Sequence, residues 1–339
     1  MARFIIQRLL WMFIVLFAVS LITFALMRTI PGGPFTGEKR LPAETLAQLN
    51  AKYHLDRPLH VQYLSFVEGV VIPKITTGEQ SAYLDHEYLL NVSLPVGDQA
   101  TLRWMNFGPS YNSFGRTVSD IFRENLPISM KLGFLAFTVS LIGGIPLGIL
   151  SALRRNTLVD YSAMAIAVLG ISVPVIISAP VMQYIFGVQL GWLPVSGWGE
   201  PAQMVLPVFA LAAANFALIA RLTRASLLQV LSQDYIRTAR AKGLREQRIV
   251  LVHAMKNSLI PIVTVLGPTL AYLLCGTFVV ETIFGIPGMG KFFVTSVTGR
   301  DYQVIMGTVL LLAMFLVLAN TVVDMLYFWL DPRIRTDND

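Results

Sequence analysis

Residues 284–293 read FGIPGMGKFF, and Gly285, Gly290 and Lys291 have the G-x-x-x-x-G-K spacing of a phosphate-cradling loop. Such a loop turns backbone N–H groups onto phosphate oxygens, brings the lysine to the same charge and needs Ser or Thr next, to hold magnesium. Here the next residue is Phe292. Other chemistry-bearing side chains are sparse. Cys275 is the single cysteine, so it makes no internal disulfide and is expected to pack as a small apolar residue. The histidines, at 54, 60, 86 and 253, are too scattered for a zinc set, and no metal or other cofactor is expected. Paired carboxylates, an HExxH helix and a Ser/Lys dyad are missing too, which argues against a membrane-embedded enzyme.

The elements that must position these residues follow from composition. The 339 residues are 55% hydrophobic and only 14% charged, with a mean hydropathy of +0.63; soluble domains carry about 25% charged residues. Six runs contain no charge: Arg8 to Arg28, Lys131 to Arg154, Asp160 to Glu200, Glu200 to Arg221, Lys256 to Glu281, and Asp301 to Asp324. Each is long enough to cross a hydrocarbon core of roughly 30 Å. The expected fold is an all-α polytopic membrane protein with six transmembrane helices. The first run lacks a small-residue cleavage site and is too long for a signal h-region, so it is read as a retained first helix.

Charge gives the sidedness. Between Arg221 and Lys256 stand eight Lys/Arg and two Asp/Glu, and Arg154 and Arg155 mark the turn between runs two and three. The loop GVQLGWLPVSGWGEPAQ between runs three and four has no basic residue. The positive-inside rule then puts both termini and the 221–258 loop in the cytoplasm, with Trp192 and Trp198 at the outer interface. The expected organisation is a cytoplasmic N-terminus and first span over 1–27, an extracytoplasmic segment over 28–127, a core of five spans over 128–330 and a cytoplasmic tail over 331–339. In the extracytoplasmic segment, LPAETLAQLNAKYHL has apolar positions at 41, 46, 49, 53 and 55, which predicts a short amphipathic helix. Residues 76–101 look irregular. FGIPGMGKFF falls between runs five and six, on the outer face, and with Phe292 in place of the hydroxyl it is not expected to bind nucleotide.

The 221–258 loop carries the most information. In QVLSQDYIRTARAKGLREQRIVLVHAMKNSLIP, Ser232 or Asp234 can cap a helix, and Tyr235, Ala239 and Lys242 share one face. Gly243 is expected to stop or bend that helix, with a second one starting near Arg245 and running toward Pro261. The product is a helix–Gly–helix element suited to a partner's groove; the alternative is a solvated basic loop that merely obeys the charge rule.

DYIRTARAKGL resembles the coupling loop of ABC-transporter permease subunits of the peptide/nickel importer family. AKYHLDRP, ETIFGIPGMGKFF, RDYQVIMG and DPRIR agree with that family in order. The likeness spans nearly the whole chain apart from about 30 residues around 72–105. PGGPFTGEKRLPAETLAQLNAKYHL and NFGPSYNSF are most similar to the oligopeptide permease B branch. The general E-A-A triplet of ABC permeases is replaced by Arg237, Thr238 and Ala239, as is typical of the peptide/nickel branch. The resemblance implies a type I ABC importer permease that hydrolyses no ATP itself. It implies a second homologous permease, two cytoplasmic ATPases, an extracytoplasmic substrate-binding protein, surrounding lipid and no nucleic acid. It places Asp234, Tyr235, Arg237, Thr238, Ala239, Ala241, Lys242 and Gly243 in the ATPase groove. The implied cargo is oligopeptides, with dipeptides, glutathione, metal chelates or oligosaccharides as alternatives.

Gln183, Asn215, Phe284 and Asn320 are candidates for the pathway through the membrane, since polar groups and apolar constrictions at that depth line paths as well as helix contacts. A secondary transporter would need an ionisable relay in mid-span, and the six runs offer only Asp324, near an end. An ion channel would show a filter repeat or charged ring, and neither is present.

Overall fold

The computed structural model of the protein describes residues 2–29, 32–35, 42–77, 84–95 and 100–330. The expected tail over 331–339 and Leu41 lie outside them. The described chain is mainly helical: α1 Ala2–Thr29, α2 Ala43–Lys52, α3 Leu59–Val71, α4 Val118–Leu153, α5 Leu158–Ser172, α6 Val175–Met182, α7 Pro201–Leu231, α8 Asp234–Ala241, α9 Glu246–Arg248, α10 Met255–Ser258, α11 Ile260–Cys275, α12 Phe278–Phe284, α13 Gly290–Thr298 and α14 Tyr302–Leu330. Three short strands, β1 Lys74–Thr76, β2 Tyr88–Ser93 and β3 Thr101–Asn106, stand between α3 and α4. Two compact units result, Met1–Ile128 with Gly288–Met314 and Ser129–Pro287 with Phe315–Asp339.

Among the described residues four helices are long and apolar enough to cross a membrane, and six spans result if each of two bent pairs counts as one. These fall on the six charge-free runs. The third run is not a straight span: α5 and α6 meet at 107°. Pro174 lacks an N–H and holds Val173 out of the helical region (φ −91°, ψ 113°), so the α5 ladder stops there. The fifth bends by 55° between α10 and α11, just before Pro261.

In the first unit, α2 confirms the amphipathic pattern: Leu46, Leu49, Tyr53 and Leu55 are half-buried while the residues between are mostly exposed. Tyr53 and Leu55 pack against a core of Met27, Tyr111, Tyr302, Ile305 and Met306. The irregular stretch of the sequence reading is instead an antiparallel sheet of order β1-β3-β2, an addition to the all-α expectation. The central strand carries a buried cation, Arg103, held by Asp85 at 2.9 Å and by Thr76 Oγ1 at 2.7 Å. Asp301 caps α14 by accepting the Val304 N–H at 3.3 Å, and its other oxygen accepts Ser110 Oγ and the Tyr111 and Asn112 amides at 2.5, 3.0 and 3.1 Å.

In the second unit, small residues bring helices into backbone contact. Ser140, Gly144 and Gly148 repeat every fourth residue along α4 and face α7. A Cβ added at Gly144 would stand 2.8 Å from the Phe216 carbonyl oxygen, and one at Gly148 2.5 Å from that of Ala220. Where lipid offers no hydrophobic drive between helices, such close packing supplies the association. α7 itself starts with a capping box between Glu200 and Gln203.

Candidate coupling site

α8 is a two-turn helix with a defined inward stripe. Ile236 and Ala239 are the buried pair, packed with Leu227, Ile249, Val250 and Ala254. Tyr235 lies at the edge, 41% exposed, where its hydroxyl accepts Asn257 Nδ2 at 2.9 Å and donates to the His253 carbonyl at 3.4 Å. Neither expected cap forms. Ser232 Oγ donates back to the Gln229 carbonyl at 2.7 Å, Gln233 is the capping position without a side-chain bond, and Asp234 stands in the first turn, where its charge suits the helix N-terminus.

The bend at Gly243 is as expected. Its φ is +75°, a conformation that opposes side chains, and no atom lies near where a Cβ would be. Directly across the bend, Arg240 forks onto Glu246, Nη2 to Oε1 at 2.5 Å and Nε to Oε2 at 3.2 Å. The hydrogen bond to Glu246 raises the Arg240 pKa above its ordinary value, with the neighbouring charge adding to it. Beyond Arg248 the backbone widens into a π-helical turn over Ile249–Ala254, which sets Ile249, Val250 and Ala254 against α8. Asp234, Arg237, Thr238, Ala241, Lys242 and Gly243 remain exposed. Ala239 alone of the proposed groove residues is turned into the protein.

A second anchor was not foreseen from the sequence. Asp160, almost fully buried in the first turn of α5, accepts Arg224 of α7 through two bonds, Nε to Oδ1 at 2.6 Å and Nη2 to Oδ2 at 2.8 Å. Ser151 Oγ of α4 and the Asn156 amide, at 2.9 Å, complete the carboxylate's shell. Ala152, next to Ser151, belongs to the same core as Ile236. The α4–α5 turn, α7 and α8 are therefore one packed body, fixed by a bidentate pair and an apolar cluster.

The pathway candidates have separate neighbours. Gln183 donates to the Val195 and Ile283 carbonyls at 2.7 and 3.0 Å. Asn215 donates within its own helix, to Leu211 at 3.4 Å. Phe284 is buried, and Asn320 Oδ1 would be 2.9 Å from a Cβ on Gly267. The phosphate-loop spacing has no matching fold: a helix rather than a strand precedes it, α12 ends at Gly285 in the left-handed conformation, and α13 begins at Gly290.

Residues 144–336 match the model of the binding-protein-dependent transport system inner membrane component, and residues 1–84 match the N-terminal membrane component of the same systems. The dipeptide transport system permease protein DppB of Bacillus subtilis is 41% identical over 99% of this chain and 98% of its own. The oligopeptide transport system permease proteins OppB of Haemophilus influenzae and of Escherichia coli are each 39% identical over 99% of this chain and 100% of theirs. Among solved structures, an inward-facing form of the MetNI methionine ABC transporter superposes with a TM-score of 0.51 at 20% identity, covering 62% of this chain and 96% of that one, a likeness of fold alone. The chain belongs to the binding-protein-dependent transport system inner membrane component family.

Proposed function

We propose that this chain is the membrane-spanning permease subunit of an ATP-driven importer that carries oligopeptides across the inner membrane. The observation that carries the mechanism is the exposed edge of α8, rigidly joined to α7 and to the α4–α5 turn. A cytoplasmic ATPase that grips Asp234, Arg237, Thr238, Ala241 and Lys242 moves that body as one piece, and Tyr235 and Ala239 hold its inner side. Two ATPases closing on ATP draw two such helices together, one from this chain and one from a second, homologous permease. A binding protein delivers the peptide on the other side. ATP drives the change only through its different affinity for the open and closed ATPase pair. This subunit hydrolyses nothing itself.

The charge asymmetry supports the sidedness: both termini and the 221–258 loop inside, the 28–127 segment outside. Asn215, whose side-chain bond stays within its own helix, and Asn320 are our choice for the pathway. Gln183 and Phe284 serve packing. The 41% identity to a dipeptide permease favours dipeptides as the second reading.

The test is uptake of labelled di-, tri- and tetrapeptides in cells lacking only this gene, with and without a plasmid copy. Wild type restores tri- and tetrapeptide uptake and Gly243→Trp does not. Restoration of dipeptide uptake alone selects the second reading, and unchanged uptake in the deletion strain rejects both.

A further inference from the structure

The first unit contains a cavity of about 410 Å³, bounded by the end of α1, the α2–α3 connection, the exit of β3 and the first turn of α14. Arg28 projects into it. Its guanidinium lies over the rings of Tyr302, at 4.8 Å, and Phe24, at 5.3 Å. Rings on the guanidinium face leave its edge as the donor surface. One donor, Nη2, is used by Gln62 Oε1, and Gln62 is itself fixed by donating to the Leu55 and Arg57 carbonyls at 3.0 and 2.6 Å. Arg28 Nε is buried and has no hydrogen-bond partner among the described residues. A desolvated, unused donor on a cation costs free energy that an anion in the cavity would recover.

The remaining lining selects the anion. Arg28, Lys52, Arg57 and Lys74 stand around it against one carboxylate, Glu68, which lies 3.8 Å from Lys74. Gln303 and Tyr111 add neutral polar groups, joined by a bond of 3.2 Å from Gln303 Nε2 to the Tyr111 hydroxyl. Burial pushes the Tyr111 phenol up to about 12, so it remains an uncharged donor. Six aromatic rings, from Phe24, Tyr53, Phe66, Phe107, Tyr111 and Tyr302, form the apolar wall. A volume in the small-ligand range of about 300–1,000 Å³ suits one or two residues of a peptide rather than a folded partner. A planar carboxylate on an apolar body fits a guanidinium edge beside aromatic walls.

We infer that this cavity receives the C-terminal carboxylate of a peptide, with Arg28 as its charged donor and the aromatic wall against the last side chain. The inference rests on the peptide-importer reading and on the 28–127 segment facing outward. Gln62 is a positioning residue, since it orients Arg28 and has no donor left for the ligand.

The test uses the full chain with its partner permease and ATPases in lipid nanodiscs, without binding protein. The probe is an N-terminally labelled Ala-Ala-Phe, as the free acid and as the C-terminal amide. Wild type should bind the acid roughly tenfold more tightly than the amide, the scale of one charge-assisted hydrogen bond. Arg28→Gln should close that gap with the amide affinity unchanged, and Arg28→Lys, which keeps the charge and loses the fork, should narrow it. Equal binding of acid and amide by wild type, no binding of either, or a gap that persists in Arg28→Gln overturns the inference. If the cavity instead takes an acidic side chain of the docking binding protein, acid and amide bind alike while Arg28→Gln weakens binding-protein capture, and this too overturns it. Peptide uptake that depends on the gene despite such a result leaves the importer reading intact; uptake independent of the gene removes that reading.

Discussion

Arg240 and Glu246 close a two-bond fork over the bend at Gly243, tying the exposed helix α8 to α9. Both side chains are about half exposed, so the pair contributes at most about 1 kcal/mol to stability. Its role is angular. With the fork in place, α8 cannot swing about Gly243 without breaking two bonds at once; on the proposed function, this is what would carry motion at α8 to the π-helical turn.

Arg240→Glu, which sets two carboxylates side by side, is expected to lower peptide uptake per ATP hydrolysed several-fold while shifting the unfolding temperature little. Arg240→Glu with Glu246→Arg restores the fork in reverse and should recover most of the uptake. The measurement is transport and ATPase rate in proteoliposomes with all subunits present. Single and double variants with equal coupling ratios would remove the fork from the coupling path.

Asp160 and Arg224 differ from that pair because Asp160 is buried. Asp160→Ala strips the partly exposed Arg224 guanidinium of both its bonds and leaves Ser151 Oγ and the Asn156 amide without their acceptor. Asp160→Ala is therefore expected to lower the unfolding temperature and the yield in the membrane sharply. Asp160→Asn with Arg224→Gln, which removes both charges and keeps hydrogen-bonding groups, should regain much of the loss. A thermal-shift series in detergent decides; a double variant no more stable than Asp160→Ala contradicts the pairing.

Much of this was legible in the sequence, for a physical reason. A span must exclude charge over its whole length, so six gaps in the charge pattern fix six spans, and Gly243 marks its bend because few other residues accept that backbone. What was missed depends on neighbours distant in the chain. Asp160 and Arg224 lie 64 residues apart; Asp160 marks the end of an uncharged run, and Arg224 was one of the eight basic residues between Arg221 and Lys256. The α5–α6 angle does not alter the charge gap that contains it. On α8 the sequence did not show which residue turns inward: the Tyr235 hydroxyl holds that ring at the edge, and Ile236 takes the inside. In the sheet, Arg103 is a buried cation at a central-strand position, and only its distant partners Asp85 and Thr76 make that tenable.

The contact of α4 with α7 gives a prediction about packing alone. At Gly148 an added Cβ would meet both the Ala220 carbonyl oxygen and the Thr223 Cβ at 2.5 Å, so even alanine forces the helices apart. Overpacking of this kind costs about 1–3 kcal/mol. Gly148→Ala should lower the unfolding temperature, and Gly148→Leu should do so more strongly, with uptake falling in step with the amount of folded protein. Gly243→Ala is the control, since no atom stands near its Cβ and only backbone strain is added: it should spare stability relative to Gly148→Ala while reducing uptake per ATP. Thermal shift and coupling ratio measured on the same four proteins, wild type included, separate the two effects. If Gly148→Ala unfolds no earlier than wild type, the close approach of α4 to α7 is not what holds this unit together.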